Sequence, residues 1–482
     1  MAAWTRVFTA ATLLATIALS ACATVVPHNR PLSPDALQGT PLTISRGGYR
    51  IFGLRHDGAL PDVIVLVAFS GGGKRSSAFG YGVLRGLREF QIPVNGQERP
   101  LLDEITMMSS VSGGSFPAAY YGLYRDKIFT DFEKDFLRQD INSYIWGSYL
   151  LPWNFFKATN DRMEGVYDKL MFHGATYADM QRNGTPLVSI NATDVTFGLP
   201  FAFTQDQFDL LCSDLTQYPI ARAVAASNGF PVLFSPITLK NYGSQCGGRV
   251  PGWVVQAEQQ HDNDPLSRRA NLTQAARRYL DSNNTRFVHL LDGGIADNLA
   301  MRTMINTFLA LTGVTAPLPV DPSNVRRIIL ISADGEAAAD PAPARQESLS
   351  GLGGILGAVS GTQIDRYNFE TLIVARAELG NLRDNIKRRR CAIGAQVDGH
   401  PCGDVESEVI HLSLATVPDP AVRTRLQQIP TGLSISDPDV DALISAGENA
   451  IRNCPQLLAI RDDLRKAPPA RTAGILRPDS AE

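Results

Sequence analysis

Apolar runs, glycine-rich breaks and helix-like segments alternate along the chain. Residues 62–69 read Asp-Val-Ile-Val-Leu-Val-Ala-Phe, a nearly continuous apolar run that is typical of a strand buried on both faces. Ser-Gly-Gly-Gly-Lys-Arg at positions 70–75 interrupts this run, and apolar residues then recur at helical spacing from Ala78 to Phe90. The pattern therefore predicts a strand, a glycine loop and a helix in succession.

The same succession recurs in the rest of the chain. Short apolar runs predict further strands at Ile105–Ser109, Leu187–Ala192, Phe287–Leu291, Arg327–Ser332, Thr371–Ala377 and Glu408–Ala415. Helical spacing predicts helices at Phe116–Tyr124, Ile220–Ser227 and Pro438–Asn453, with Asp437 as the candidate N-cap of the last. Because strands alternate with helices, we predict an α/β fold with a mainly parallel central sheet.

The first 22 residues resemble a secretion signal. Arg6 is followed by an uncharged, apolar stretch from Val7 to Ala21, which is shorter than the about 20 apolar residues that a transmembrane helix needs. The stretch closes on Leu-Ser-Ala-Cys at 19–22, which resembles the lipobox of bacterial lipoproteins. That resemblance implies that Cys22 carries lipid and anchors the protein to a membrane of the cell envelope. An ordinary signal peptide with a chance cysteine is the alternative.

Composition and sequence divide the chain into four parts. Residues 1–21 are the predicted leader, 22–58 a proline-containing tether, 59–466 one globular domain, and 467–482 a Pro- and Ala-rich tail that we predict to be disordered. Of the 482 residues, 44% are hydrophobic and 19% charged, which suits a globular domain with a large core. The net charge of −3 gives no sign of a nucleic-acid partner, and we expect none.

Five cysteines lie beyond the predicted lipobox. A compartment outside the cytoplasm permits disulfides, and the pairs Cys212–Cys246 and Cys391–Cys402 are plausible, although sequence alone leaves the connectivity open. Cys454 makes the count odd. None of the spacings matches a zinc site, and we expect no metal and no cofactor.

Ser112 lies in Ser-Val-Ser-Gly-Gly (110–114), directly after a predicted strand. A serine nucleophile on a sharp strand-to-helix turn needs small residues two positions before and two after it, and the usual pattern is Gly-x-Ser-x-Gly. Ser110 takes the first glycine position, so we expect the turn to be slightly strained. Ser115 is a weaker candidate because Pro117 follows it, and a Ser/Gly-rich loop without chemistry is the alternative.

Gly71, Gly72 and Gly73 lie between a predicted buried strand and a helix. Backbone N–H groups in such a loop can bind an anion, either a nucleotide phosphate or the oxyanion of an acyl-transfer reaction. No Gly-Lys-Ser/Thr follows at the spacing of a P-loop, and position 76 is Ser where a Gly-x-Gly-x-x-Gly pattern needs Gly. An oxyanion hole is therefore favoured if a nucleophile lies nearby, and a simple tight turn is the alternative.

Asp292 ends a predicted strand and is followed by two glycines. Strand ends in α/β sheets collect ligands, and a carboxylate beside Ser112 can accept its proton directly. A turn or N-cap role is the alternative for this residue. A conventional triad needs a histidine instead, but none of the seven has a convincing context. These are His28, His56, His173, His261, His289, His400 and His411.

Together these motifs resemble the patatin-like phospholipase family, which includes patatins and the cytosolic phospholipase A group. The family carries a Gly-Gly-Gly-x-Arg loop, a Gly-x-Ser-x-Gly elbow and Asp-Gly-Gly or Asp-Gly-Ala. Here they read Ser-Gly-Gly-Gly-Lys-Arg (70–75), Ser-Val-Ser-Gly-Gly (110–114) and Asp-Gly-Gly (292–294), with Ser76 and Ser110 as departures. Other stretches agree, among them residues 221–236, which resemble the family's block of small residues, Ser and Phe-Pro, so the likeness covers about residues 60–460.

The resemblance implies a patatin-like three-layer α/β/α fold with helical or loop cap insertions on the mainly parallel sheet. It also implies that Ser112 attacks an ester carbonyl and that Asp292 is its base. The amides of the glycine loop would hold the oxyanion, and Arg75 would assist at a phosphate or orient the loop.

We therefore expect a serine lipid-acyl hydrolase of the phospholipase A or lysophospholipase type, acting on a phospholipid or another acyl ester. The alternatives are a non-catalytic lipid-binding envelope lipoprotein, and an acyltransferase or thioesterase on the same fold. An enzyme for long acyl chains should have an apolar cleft beside Ser112. Residues 351–361, rich in glycine and aliphatic side chains, are compatible with a mobile cap over such a site and equally with a plain loop.

Overall fold

The structure is a computed structural model, and it describes residues 27–33, 48–50, 60–94, 96–149, 158–231, 234–247, 249–259, 267–312, 322–336 and 351–466. The predicted leader (1–21), the lipidation site Cys22 and the predicted tail (467–482) lie outside these residues, as does most of the predicted tether.

The described residues contain fourteen strands. They are β1 (Arg30–Pro31), β2 (Val63–Phe69), β3 (Gln91–Val94), β4 (Gln97–Pro100), β5 (Ile105–Val111), β6 (Leu187–Asp194), β7 (Leu199–Ala202), β8 (Ser213–Asp214), β9 (Ile237–Lys240), β10 (Phe287–Leu291), β11 (Arg327–Asp334), β12 (Gln396–Val397), β13 (His400–Pro401) and β14 (Glu406–Ser413).

The α-helices in the same residues number sixteen. They are α1 (Gly73–Glu89), α2 (Ser115–Tyr124), α3 (Ile128–Phe132), α4 (Ile141–Tyr149), α5 (Thr159–Tyr167), α6 (Tyr177–Arg182), α7 (Gln205–Asp209), α8 (Ile220–Ser227), α9 (Gly252–Gln259), α10 (Arg268–Leu280), α11 (Gly294–Asp297), α12 (Arg302–Thr312), α13 (Gly351–Ile393), α14 (Pro420–Gln427), α15 (Asp437–Arg452) and α16 (Pro455–Lys466).

Eight of the described strands form one mixed sheet in the order β14–β11–β2–β5–β6–β10–β9, with β7 paired to β6 beside this path. The five strands from β14 to β6 are parallel to one another, whereas β7, β9 and β10 run antiparallel to their neighbours. Every residue of β2 and β5 is buried, so both faces of the sheet are covered. Helix α1 contacts β11, and helix α13 contacts β14. The predicted α/β fold with a mainly parallel sheet is confirmed.

The register of the central strands brings two loops together at one edge of the sheet. Phe69 at the end of β2 pairs with Ser110 of β5, and Val111 pairs with Asn191 of β6. Because these strands are parallel, the glycine loop that follows β2 and the turn that follows β5 leave the sheet at the same edge.

Helix α1 begins earlier than its hydrophobic pattern indicates. We predict Ala78–Phe90, whereas the helix runs from Gly73 to Glu89. Its first turn is polar in sequence but buried in the structure, since Lys74 and Arg75 are at most 2% exposed. Polar side chains in a buried turn interrupt the apolar periodicity, so the pattern placed the start of the helix too late.

Two further predictions about helices are wrong. The segment Thr371–Ala377 is predicted as a strand but lies inside α13, where the buried Thr371, Val374 and Ala375 follow helical spacing. The N-cap of α15 is Ser436 and not Asp437, because the Ser436 hydroxyl accepts a hydrogen bond from the N–H of Asp439. Residues 351–361 begin the same α13 helix instead of forming a loop.

Both plausible cysteine pairs form disulfides, Cys212–Cys246 and Cys391–Cys402, while Cys454 is a buried free thiol. In the part of the chain that the structure describes, no helix combines the length and the apolar character needed to cross a bilayer.

Candidate active site

Ser112 stands at the turn between β5 and α2. Its backbone adopts a left-handed conformation with φ 50°, which is uncommon for a residue with a side chain and is typical of a functional elbow. The next residue, Gly113, packs against the glycine loop so closely that a Cβ there would lie 2.0 Å from the carbonyl oxygen of Gly73. Only glycine fits at this position, which fixes the elbow against the loop.

Ser110, which replaces the usual glycine two positions before the nucleophile, has a hydrogen-bond partner for its side chain. It is fully buried in β5, and its hydroxyl donates a hydrogen bond to the carbonyl oxygen of Ser189, at 3.2 Å, on the neighbouring β6. The strain that we expect from this departure is therefore not located at Ser110, because its extra atoms have a partner.

Asp292 lies beside Ser112 although 180 residues separate them in sequence. The Ser112 hydroxyl donates to Oδ2 of Asp292 at 2.9 Å, and the N–H of Gly294 donates to Oδ1 at 2.8 Å. Strand β10 runs antiparallel to β6 and pairs only with its last residues, Leu290 with Asp194 and Leu291 with Thr193. Because of this register, the carboxyl end of β10, which Asp292 follows, lies at the same edge of the sheet as Ser112.

Burial raises the pKa of the Asp292 carboxyl to about 6, and the hydrogen bonds from Gly294 and Ser112 oppose that rise. The phenol of Tyr167 is a neighbouring titratable group. Its pKa is raised by burial first and by the charge of Asp292 second. A carboxyl group with a pKa near neutrality can both accept and return a proton under physiological conditions.

No described histidine is a hydrogen-bond partner of Ser112 or Asp292. His289 pairs through Nδ1 with the hydroxyl of Thr238, and His411 pairs through Nε2 with Asp334. Two of the seven histidines, at positions 56 and 261, lie outside the described residues.

The glycine loop lies against the nucleophile. A Cβ on Gly71 would lie 3.4 Å from the Cβ of Ser112. The N–H of Gly71 is already bonded to the carbonyl oxygen of Asn298 at 2.9 Å, and the N–H of Lys74 to that of Gly432 at 2.7 Å. Among the described residues, nothing accepts a hydrogen bond from the N–H groups of Gly72 and Gly73. Gly72 and Gly73 are therefore the two glycines of the loop whose N–H groups have no acceptor among the described residues.

The guanidinium of Arg75 lies behind this loop. It is 2% exposed and donates from Nε to the carbonyl oxygen of Gly335 at 2.7 Å and from Nη1 to that of Ile429 at 2.6 Å. Its remaining terminal nitrogen is close to the loop, since a Cβ on Gly72 would lie 3.2 Å from Nη2. Burial lowers the pKa of Arg75 to about 10, so the group remains cationic at neutral pH.

Two residues of the site were not assigned a role from sequence. Ser227 and Asn228 follow one another at the end of α8, and both bond to Ser112. They fall within the stretch 221–236 that resembles a family block, which is the signal that could have indicated them.

A groove of about 630 Å³ is lined in part by Ile295 and Ala296, which follow the Asp-Gly-Gly segment in α11. Apolar side chains contribute much of its wall, among them Leu199, Trp253, Leu272 and Ile295. Ile295 is only three residues from Asp292, but neither Asp292 nor Ser112 lines the groove. The apolar cleft that we expect directly beside Ser112 is therefore not this groove.

A family model matches the part of the chain that holds the three motifs. Residues 67–305 match the family model described as patatin-like phospholipase. Among solved structures, the human GIVD cytosolic phospholipase A2 is 11% identical with a TM-score of 0.39, and the match covers 84% of this chain. The chain spans 62% of that protein. VipD from Legionella pneumophila is 13% identical with a TM-score of 0.28, over 83% of this chain and 67% of VipD. No curated protein sequence matches the chain.

Proposed function

Residues 67–305 form a patatin-like phospholipase domain, and from this premise we propose that the protein is a serine lipid-acyl hydrolase with a Ser112–Asp292 dyad. The observation that carries the proposal is the 2.9 Å hydrogen bond from the Ser112 hydroxyl to the buried Asp292 carboxylate. A hydroxyl at a sharp turn, paired with a base in hydrogen-bond reach, is the arrangement that nucleophilic catalysis requires.

In the first half-reaction, Ser112 Oγ attacks the carbonyl carbon of the ester and its proton passes to Oδ2 of Asp292. The C–O bond to the alcohol breaks, and Asp292 returns the proton to the leaving oxygen. The products are an acyl-serine and a free alcohol, which for a phospholipid is a lysophospholipid.

The oxyanion of the tetrahedral intermediate needs donors that are already in place. We assign this role to the N–H groups of Gly72 and Gly73 because the N–H of Gly71 is engaged by Asn298. The buried cation of Arg75 lies beside Gly72 and favours negative charge at this position. Two donors of Arg75 are bonded to backbone carbonyl oxygens. Arg75 therefore acts on the reaction indirectly, through the position and charge of the loop.

In the second half-reaction, water attacks the acyl-serine and gives a proton to Asp292. Ser112 then recovers its proton as the fatty acid leaves, which restores the dyad. An acyltransferase or a thioesterase would follow the same steps with a different acceptor or a thioester substrate, so product analysis separates these alternatives from ester hydrolysis.

The proposal is tested with purified protein and vesicles of phosphatidylcholine and phosphatidylglycerol, with release of fatty acid as the readout. We expect Ser112→Ala and Asp292→Asn to lower the rate by at least about 10³-fold. The matched control is Ser110→Ala, which removes a buried hydroxyl from the same strand and should retain the rate. A serine-directed phosphonate should label the wild type but not Ser112→Ala.

Retention of acyl release by Ser112→Ala would contradict the proposed nucleophile. Absence of both acyl release and labelling in the wild type would favour the non-catalytic lipid-binding alternative.

We also propose that Cys22 is lipidated and holds the domain at a membrane of a bacterial envelope, on its periplasmic or outer surface. The two disulfides support a compartment outside the cytoplasm, because reducing compartments keep thiols free. Metabolic labelling with radioactive palmitate should mark the wild type and not Cys22→Ser. Equal labelling of the two would contradict lipidation at this residue.

A further inference from the structure

The three residues Ser227–Gly229, which we call the 227–229 segment, contact both members of the proposed dyad. The N–H of Ser112 donates to the hydroxyl of Ser227 at 2.8 Å, and the side-chain amide of Asn228 donates to the carbonyl oxygen of Ser112 at 2.8 Å. Both backbone polar groups of the nucleophile are therefore held by side chains of neighbouring residues.

The backbone of the same segment holds the base. The N–H of Asp292 donates to the carbonyl oxygen of Gly229 at 2.9 Å, and the N–H of Gly293 donates to that of Ser227 at 3.2 Å. The side chains of the segment thus set the position of Ser112, while its carbonyl groups set the position of Asp292. One short piece of chain fixes the distance between the two.

Ser227 is itself firmly placed. It is fully buried, and its hydroxyl donates to the carbonyl oxygen of Asn191 at 2.6 Å and lies 3.0 Å from the hydroxyl of Ser115. The hydrogen bond to Asn191 uses the only hydrogen of the Ser227 hydroxyl. The lone pairs of the Ser227 oxygen therefore accept from the N–H of Ser112 and the hydroxyl of Ser115. This network ties the elbow to the central strand β6.

Asn228 has a second contact with the reacting group. Its Oδ1 lies 3.3 Å from Ser112 Oγ, so the hydroxyl has a neutral acceptor as well as the carboxylate of Asp292. A neutral amide holds the hydroxyl without adding negative charge beside Asp292. A carboxylate at this position would raise the pKa of Asp292 further, because like charges within about 6 Å disfavour ionisation.

We propose that Asn228 and Ser227 position the nucleophile, holding Ser112 in its left-handed backbone conformation and its hydroxyl within reach of Asp292. The inference rests on the proposed function of Ser112. Conformations such as that of Ser112 persist only when their surroundings hold them, and these two side chains supply the hydrogen bonds that do so. The hydrogen bonds to the N–H and C=O of Ser112 remain when Ser112 is acylated because neither uses the hydroxyl proton, whereas the contact of that hydroxyl with Asn228 Oδ1 is lost.

The test compares Asn228→Ala and Asn228→Asp in the full chain, with hydrolysis of a soluble short-chain ester as the assay. We expect Asn228→Ala to lower kcat by about 10- to 100-fold with KM within about twofold, because a misplaced nucleophile slows chemistry more than binding. We expect Asn228→Asp to move the acid limb of the pH–rate profile to higher pH by one unit or more, an effect that a purely structural residue would not produce.

The matched control is Asn241→Ala. Asn241 is another buried asparagine that bridges backbone groups, with Nδ2 on the carbonyl oxygen of Tyr279 and Oδ1 accepting from the N–H of Gly243. Its replacement should lower Tm while leaving kcat and the pH profile as in the wild type. Ser227→Ala, which leaves the buried N–H of Ser112 without its acceptor, should lower kcat as Asn228→Ala does.

The outcomes separate the two proposals. Full activity in Ser112→Ala would overturn the proposed function itself. If Ser112→Ala is inactive but Asn228→Ala keeps the wild-type kcat, only the positioning role is wrong. If Asn228→Ala does not fold, Asn228→Asp decides, and an unshifted acid limb in that variant would overturn the inference.

Discussion

The hydroxyl of Ser110 donates a hydrogen bond to the carbonyl oxygen of Ser189 across two parallel strands, at 3.2 Å. Ser110 stands where the usual elbow has glycine, and this contact shows how a larger residue fits there. The buried hydroxyl of Ser110 thus has a hydrogen-bond partner on the neighbouring strand β6.

We predict that Ser110→Gly keeps its activity within about twofold of the wild type and loses stability. Glycine in a strand costs about 0.5–1 kcal/mol relative to a residue with a side chain, and the hydrogen bond to Ser189 is lost as well. Urea denaturation and ester hydrolysis measure the two effects. A large gain in kcat in Ser110→Gly would mean that serine does strain the elbow.

The acid limb of activity should report Asp292. Burial raises the pKa of this carboxyl to about 6, and only its ionised form can accept the proton of Ser112. We expect kcat/KM to be half-maximal near pH 6, to fall about tenfold per pH unit below that value, and to be level above it. A rate that is constant from pH 7 down to pH 4.5 would contradict this assignment.

Asp297 provides the control for the pH profile. Burial raises its pKa to about 6 as well, but it accepts a hydrogen bond from the N–H of Arg302 and does not contact Ser112. Asp297→Asn should therefore keep the acid limb of the wild type.

Asp292→Asn should be more stable than the wild type at neutral pH. The pKa of Asp292 is about 6 when folded and about 3.9 in an unfolded chain, so the folded state binds the proton more tightly. Stability contributed by this group is therefore greatest below pH 4, falls between about pH 4 and 6, and stays low above pH 6. Asparagine carries no charge, so the Asp292→Asn variant does not lose this stability as the pH rises. We expect its free energy of unfolding at pH 7 to exceed that of the wild type by about 1–3 kcal/mol.

Denaturation of the two proteins at pH 7 and at pH 4 measures the effect. The advantage of Asp292→Asn should be present at pH 7 and nearly absent at pH 4. The opposite order would mean that the ionised carboxylate stabilises the fold.

Arg75→Met should lower kcat by about 10- to 100-fold and also destabilise the protein. The substitution removes the hydrogen bonds to Gly335 and Ile429 and the positive charge beside Gly72. Arg75→Lys keeps the charge and should retain more activity than Arg75→Met. Equal kcat values for the two variants would show that the charge contributes nothing to the rate.

The disulfides should contribute unequally to stability. Cys212 and Cys246 are 34 residues apart, whereas Cys391 and Cys402 are 11 apart. A longer closed loop restricts the unfolded chain more, with about 4 kcal/mol expected for the first bridge and about 3 kcal/mol for the second. Double Cys→Ser variants compared by urea denaturation test this order, and equal losses would argue against an effect on the unfolded chain.

Hydrophobic periodicity predicted the bounds of some elements correctly. Strand Phe287–Leu291 and helix Ile220–Ser227 have the bounds that the pattern indicates. The segment Thr371–Ala377 fails because a short run of apolar residues has the same composition in a strand and in a half-buried helix. Its buried residues Thr371, Val374 and Ala375 fit the helical period only once the longer α13 helix is known.

The sequence by itself determined the three local motifs, because a tight turn or an anion-binding loop depends on residues that are adjacent in the chain. Glycines 71–73, the Ser112 elbow and Asp292 with its two glycines could all be identified from such neighbours. The tertiary structure alone decided that Ser112 lies beside Asp292 and that the carbonyl oxygen of Asn298 accepts a hydrogen bond from the N–H of Gly71. It also decided that the side chain of Asn228 is bonded to the nucleophile. These contacts join residues far apart in sequence, and strand register and packing, which no local pattern encodes, set their distances.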